Sequence, residues 1–306
     1  MPLNRRHDTW EGRMRQRTVL TLLAVCLVLG SLLGQVSAEK TAPEATPGTG
    51  GGEPQPIGQR ALYSNIYVQS SAEYAACCRT IYTCAARALA SRLASVDPPP
   101  VRPAVVMDLD ETVLDNATFQ TFLYMNDLEY TPKLWAEFER RGVSDVGLVP
   151  GAKDFIEHAE SLGVTVVYCS NRNERNLMAT RESLERLGLN ADGLVERLYL
   201  KPDGSSSSKA ARRDAISARY DVLMYFGDNL RDFSELFRVP KLADDPERVD
   251  YLRAIEERKA VVEETGFHWG VDWFVLPNPA YGEWEKLIPE EPALILERGD
   301  GASPAE

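Results

Sequence analysis

Basic charge is scarce in this sequence: 34 Lys and Arg stand against 46 Asp and Glu, a formal net charge of −12 over 306 residues. Five of the arginines and only two of the acids lie in residues 1–38, so the remainder carries 29 basic and 44 acidic side chains, a net near −15. A surface of that sign repels nucleic-acid backbones and anionic membranes, which excludes polymeric DNA or RNA as a partner. Cysteine and histidine are also few, at five and three. Beyond residue 38 the cysteines are Cys77, Cys78, Cys84 and Cys169. The first three fall on one predicted helix, where residues six or seven apart stand about 10 Å apart and cannot bridge. A long-range bond to Cys169 stays open beside the preferred reading of buried free thiols. With no histidine near them, they do not form a zinc site. No internal repeat is present.

The one long apolar run is "TVLTLLAVCLVLGSLLG", about 17 residues, at the short limit for a membrane span. It follows the arginine-rich "MPLNRRHDTWEGRMRQR" and precedes "QVSA", with Val36 and Ala38 at the small-residue positions of a cleavage site. This pattern predicts an export signal over residues 1–38, cut after Ala38, with an uncleaved anchor as the alternative and the only route to a membrane. Val25 precedes Cys26 where lipid attachment needs a small residue, so Cys26 reads as part of the signal. Residues 39–56, "EKTAPEATPGTGGGEPQP", hold almost nothing to bury and read as a flexible linker. The chain is expected in the periplasm or outside the cell.

From about residue 57 the pattern becomes globular. Ser70 with Glu73 suggests a capping box, and Tyr74, Cys77, Ile81, Cys84 and Ala88 repeat at helical spacing until "VDPPPVRP" stops the helix. Short β-rich runs follow at Ala104–Met107, Val164–Cys169, Leu198–Leu200, Val222–Phe226 and Trp273–Leu276. Helical stretches over Lys153–Ser161, Glu174–Leu187, Lys209–Ala218 and Pro246–Glu264 lie between them. The alternation predicts an α/β fold, a parallel sheet with helices on both faces. Runs such as "VTVVY" lack polar alternation, as strands buried on both sides do. The division is then a domain over 57–296, with a helical part at 57–97, an α/β core at 101–290 and a frayed tail at 297–306.

Ligands of open α/β sheets sit beyond the carboxyl ends of the strands. There the sequence places "DLDET", "SNRNE" and "GDNLRDF", with "SSSSKAARR" ahead of the helix that follows the third strand. Asp108 and Asp110, two apart in an extended chain, point the same way. One carboxylate can attack phosphorus while the other, protonated, donates to the leaving oxygen. Alone, Asp-x-Asp also suits a solvated or capping loop; a calcium loop is excluded because Val113 stands where the turn needs glycine. Asp228 and Asp232 add two further acids. Like charges 5 Å apart at an effective dielectric of 20 repel by about 3 kcal/mol, so the cluster calls for a cation, and all-oxygen ligands select Mg2+ over zinc. Mg2+ and Lys209 supply three positive charges, and protonation of Asp110 removes one negative, so a phosphate dianion can enter. Ser170 and Asn171 offer a hydroxyl and amides to phosphoryl oxygens.

"VVMDLDETVLDN", "VVYCSNRNE", "SSSSKAARR" and "YFGDNLRDF" resemble, in order and spacing, the four motifs of the haloacid dehalogenase-like phosphatases. "SAEYAA", "VPGA", the Ser-Asn-Arg second motif and "LPNPAYGEWE" are similar to the class C acid phosphatase branch, subfamily IIIB, which includes bacterial outer-membrane lipoprotein 5′-nucleotidases. The likeness covers about residues 60–290. It implies a Rossmann-like sheet with a smaller helical region, built from 60–97 and the segment after motif one. It implies Asp108 as the nucleophile that forms an aspartyl-phosphate and Asp110 as the acid that later activates water. Mg2+ would be held by the Asp108 carboxylate, the Asp110 backbone carbonyl and Asp228, with Asp232 in support, and Ser170 and Lys209 would grip the phosphoryl group. Trp135 in "KLWAEF" and Tyr281 in "PAYGEW" match family positions for aromatics around the substrate, against ordinary core packing. Ser170 stands where relatives commonly carry Thr, and no lipobox carries over.

The resulting expectation is an exported, Mg2+-dependent phosphomonoesterase favoured by acidic pH. A phosphotransferase on the same site and a non-catalytic storage or binding protein of the same fold are the alternatives, the latter disfavoured by the presence of Asp108. Nucleoside monophosphates, aryl phosphates and small sugar phosphates all stay open as substrates, and the resemblance implies a homodimer.

Overall fold

The computed structural model describes residues 62–95, 97, 100–189 and 192–296. The export signal, the linker and the tail after residue 296 lie outside the described residues. In chain order the elements are α1 (Leu62–Ser70), α2 (Ala72–Ser95), β1 (Pro103–Met107), β2 (Leu114–Asp115), α3 (Ala117–Met125), α4 (Pro132–Arg141), β3 (Gly147–Leu148) and α5 (Ala152–Ser161). They continue with β4 (Thr165–Asn173), α6 (Leu177–Arg186), β5 (Leu198–Lys201), α7 (Ala210–Ser217), β6 (Asp221–Gly227), α8 (Arg248–Glu264) and β7 (Trp273–Val275).

Five strands form one parallel sheet in the order β5-β4-β1-β6-β7. This is the α/β sheet that the alternating pattern predicts. After β1 the chain builds outward through β4 and β5, then crosses back to add β6 and β7 on the other side. β1 is therefore the switch point, where a crevice opens at the carboxyl ends of the strands. β1 is apolar because both its faces are covered. Val105 and Met107 enter the larger core with residues of α2 and α5, while Ala104 and Val106 meet Ile216 of α7 on the opposite face. Tyr82, Phe155, Phe226 and Phe274 form an aromatic stack in the larger core, with centroids 4.6–5.8 Å apart. β2 and β3, two residues each, pair antiparallel as a small flap after the first motif; strands so short leave no periodicity in the sequence.

Two local expectations need correction. The cap of α2 is Ser71: its Oγ accepts from the Tyr74 N–H at 3.0 Å, whereas Ser70 closes α1. No box with Glu73 forms, since that residue is one position too early to answer Ser71. The buried face of α2 is also displaced. It comprises Tyr74, Cys78, Tyr82, Ala85 and Leu89, and Cys77 and Cys84 are exposed. A stripe of 74, 78, 82, 85 and 89 follows the helical turn as well as the predicted one, and beyond the shared Tyr74 it places Tyr82 and Leu89 in the core where the other offers Ile81 and a second cysteine. Among the described residues the four cysteines are free thiols, and of these Cys78 and Cys169 are buried.

Candidate active site

The carboxyl end of β1 turns sharply. The Asp108 N–H donates to the Phe226 carbonyl at 2.9 Å, and the Leu109 carbonyl then accepts from the N–H groups of Val113 and Leu114 at 2.8 and 2.7 Å. The turn places Glu111 at φ 55°, a left-handed conformation that a non-glycine residue holds only when its surroundings dictate it. One such constraint is the Tyr82 hydroxyl, buried in the core, which donates to the Thr112 carbonyl at 2.6 Å. Helix α2 thus braces the loop that carries Asp108, Asp110 and Glu111.

Lys209 stands just ahead of α7 with its side chain 3% exposed. Its Nζ lies 2.7 Å from Asp108 Oδ1 and 2.7 Å from Asp232 Oδ1. Burial alone would lower its pKa, but Asp108 and Asp232 overcome that and raise it, so the ammonium persists. Asp232 closes a short turn after β6, where its Oδ2 accepts from the Asn229 N–H at 3.0 Å. This turn requires Gly227, because a Cβ there would stand 2.3 Å from Asp232 Oδ2. Asp228 points inward and receives the Asn278 amide at 2.8 Å.

One oxygen each from Asp108, Asp228 and Asp232 lies within 4.8 Å of the others. Burial pushes Asp108 up to about 7, with Lys209 opposing and Asp232 and Asp110 adding to the rise. Burial and the neighbours Asp232 and Asp108 push Asp228 well above the usual carboxylate range. Glu111 is raised in the same way by burial, Asp110 and Asp228. Carboxyl groups that hold protons this tightly are a donor set short of positive charge. Asp232 uses one oxygen on Lys209 and the other on a backbone N–H, whereas Asp228 keeps lone pairs free. The residues therefore fit a hard divalent cation bound through oxygen.

Asp110 faces the β4 side. Its Oδ1 accepts from Arg172 Nε at 2.7 Å and from Asn116 Nδ2 at 3.0 Å, and its Oδ2 lies 3.4 Å from Ser170 Oγ. Ser170 and Arg172, two apart on β4, turn inward together, and Asn171 between them is exposed. The Asn171 Oδ1 accepts from Arg212 at 2.6 Å, and Arg212 also donates to the Ser170 carbonyl. Asn171 thus steadies the strand end from outside, and its side chain does not join the inner group.

The two aromatic candidates separate. Trp135 is half-buried, edge-on to Phe119 at 5.1 Å and 5.6 Å from Phe138, with the Arg172 guanidinium 5.8 Å from its ring. Tyr281 is half-buried in the wall of a small pocket shared with Asn65, Tyr74, Glu111 and Asn278. Arg172, Asn116, Glu111 and Asn278 were given no function by the sequence reading. For Arg172 a signal was present, since its i+2 spacing from Ser170 puts both on one face of a strand end.

A family model described as "HAD superfamily, subfamily IIIB (Acid phosphatase)" matches residues 54–284. Among solved structures, the class C acid phosphatase from Bacillus anthracis with tungstate bound is similar at 28% identity and a TM-score of 0.65. That alignment covers 80% of this chain and 93% of the other. A second structure of the class C acid phosphatase from Bacillus anthracis gives 29% identity and a TM-score of 0.64 over 76% and 90% of the respective chains.

Proposed function

The chain belongs to subfamily IIIB of the HAD superfamily, the acid phosphatases, and on that premise we propose that it is an exported, Mg2+-dependent phosphomonoesterase acting through an aspartyl-phosphate on Asp108. The observation that carries the reading is Lys209, buried and ion-paired to Asp108 and Asp232 at the switch point of the sheet.

Asp108 is the nucleophile because it ends the central strand, and its carboxylate is oriented by Lys209 and the strand backbone. Lys209 and the Ser170 hydroxyl bind phosphoryl oxygens, and Lys209 offsets the negative charge of the incoming ester. Asp110 gives a proton to the departing oxygen and later takes one from the attacking water. Asp108, the Asp110 carbonyl and Asp228 would hold Mg2+, with Asp232 holding Lys209 in place. A cation bound there supplies positive charge at the phosphoryl group and neutralises the acidic cluster. The need for a protonated Asp110 supports a preference for acidic pH. Tyr281, whose N–H donates to the Asn278 side chain that in turn bonds Asp228, supports substrates with a ring, so nucleoside 5′-monophosphates and aryl phosphates are the first to try. Export is supported by the arginine-rich, apolar and small-residue sequence of residues 1–38.

The test is a panel of phosphomonoesters assayed after chelation and again with Mg2+, together with alcohol acceptors. Release of inorganic phosphate that requires Mg2+ is expected. Turnover that survives complete chelation removes the metal role, and transfer to the alcohols in preference to water makes the protein a phosphotransferase.

A further inference from the structure

Arg172 is the largest fully buried side chain among the described residues, and the chemistry above gives it no task. It is held on every side. Nε donates to Asp110 Oδ1 at 2.7 Å, Nη2 donates to Asn116 Oδ1 at 2.9 Å, and its backbone N–H donates to Ser170 Oγ at 3.0 Å. The Trp135 ring, itself packed on Phe119 and Phe138, stands 5.8 Å from the guanidinium. An arginine side chain presents its donors in a rigid fork. The contact to Asn116 also orients that amide, with its oxygen toward Arg172 and its NH2 toward Asp110 Oδ1 at 3.0 Å and Glu111 Oε1 at 3.2 Å.

Two fixed N–H donors therefore converge on Oδ1 of Asp110, whereas Oδ2 meets only the Ser170 hydroxyl, which donates at 3.4 Å and can rotate to accept instead. A proton on Oδ1 would confront both donors. Oδ2, turned to Ser170 Oγ, is the oxygen left to carry a proton that can be transferred. Resting on the reading of Asp110 as the acid, we infer that Arg172 is a positioning residue for the reaction. Directly and through Asn116, it fixes the Asp110 carboxyl group with Oδ2 as the oxygen that serves the leaving group. In the first step an Asp108 oxygen forms a bond to phosphorus and the ester P–O bond breaks. Its electron pair stays with the leaving oxygen, which takes the proton from Asp110 Oδ2 and departs as the alcohol. In the second step water attacks the phosphorus and its proton returns to Oδ2, freeing phosphate and the Asp108 carboxylate.

An arginine that only held the fold would lower activity toward all substrates alike. One that positions the acid matters most where the leaving group is poor. The experiment compares kcat/KM, which reports steps up to departure of the alcohol, for 4-nitrophenyl phosphate and 2-phenylethyl phosphate in the Mg2+-loaded enzyme. In Arg172→Gln the alkyl ester is expected to lose at least about tenfold more than the aryl ester, since general acid catalysis contributes about 10²–10⁴-fold where it is needed. Arg172→Lys keeps the charge without the fork and should fall between. If Arg172→Gln does not fold, Asn116→Ser keeps the arginine and should shift the same ratio in the same direction. Equal losses on both esters in the folded variants overturn the inference while the phosphatase reading stands. A wild-type protein that hydrolyses neither ester overturns that reading and this inference with it.

Discussion

At Asp108 two requirements oppose each other. The carboxylate must be ionised to attack, yet burial pushes its pKa up to about 7, with Asp232 and Asp110 adding to the rise and Lys209 countering it. Replacement by Asn keeps the shape and removes a buried charge, while Lys209 keeps Asp232 as a partner at 2.7 Å. Asp108→Asn is therefore expected to lose at least about 10³-fold in kcat, as removal of a nucleophile does elsewhere. Its circular dichroism spectrum and cooperative melt should remain native. Normal turnover in a folded Asp108→Asn protein would remove the nucleophile assignment. The acids and the lysine were legible because charged groups packed after apolar strands have few purposes, and four such segments converge on one sheet edge. Arg172 was legible only in part: its spacing from Ser170 gives the face it shares, but its partner Asp110 lies 62 residues away and is known only from the tertiary pairing.

At the scale of elements, α2 links local sequence to the site. Its cap is worth about 1 kcal/mol, so Ser71→Ala should lower the melting temperature by about 2–4 °C in a domain of this size. Ser70→Ala, an exposed residue at the end of α1, should change stability by less than about 0.5 kcal/mol. A larger loss in Ser70→Ala than in Ser71→Ala would place the cap where the Ser-x-x-Glu pattern suggested. Two serines in succession are each competent caps, and only the chain's turn at Ser71 decides between them. The same helix reaches the catalytic loop through Tyr82. Tyr82→Phe leaves the buried Thr112 carbonyl without its 2.6 Å donor and should cost about 1–3 kcal/mol, measurable in a urea titration as a lower midpoint at unchanged slope. A cost near zero would mean that the loop holds its left-handed Glu111 unaided. Strand positions were readable from apolar runs, and parallel pairing from the intervening helices. The order β5-β4-β1-β6-β7 was not, because no local pattern encodes which neighbour a buried strand takes.

For the whole molecule, the acidic cluster makes stability depend on pH and on the cation together. Asp108, Glu111 and Asp228 all have folded-state pKa values above their ordinary values of 3.8, 4.5 and 3.8. A carboxyl group raised on folding stabilises fully below its unfolded pKa, and that contribution is lost as pH rises through the folded value. The chelated protein should accordingly lose stability as pH rises from about 4 through the folded-state values, with Asp108 ionising near 7. Lys209 stays protonated throughout, so it does not reverse the trend. A divalent cation competes with those protons. Its stabilisation should be small at pH 5 and large at pH 8, where at a hundredfold excess over its dissociation constant it contributes about 2.7 kcal/mol, or about 5–10 °C in melting temperature. Asp228→Asn removes one of the raised carboxyl groups and a ligand at once. It should flatten the pH dependence of the chelated protein and reduce the Mg2+ shift together, because both effects come from the same charges. Melting curves at pH 5, 6.5 and 8, with chelator and with Mg2+, measure all of this in one set. A Mg2+ shift as large at pH 5 as at pH 8, or unchanged in Asp228→Asn, would place the cation away from this cluster.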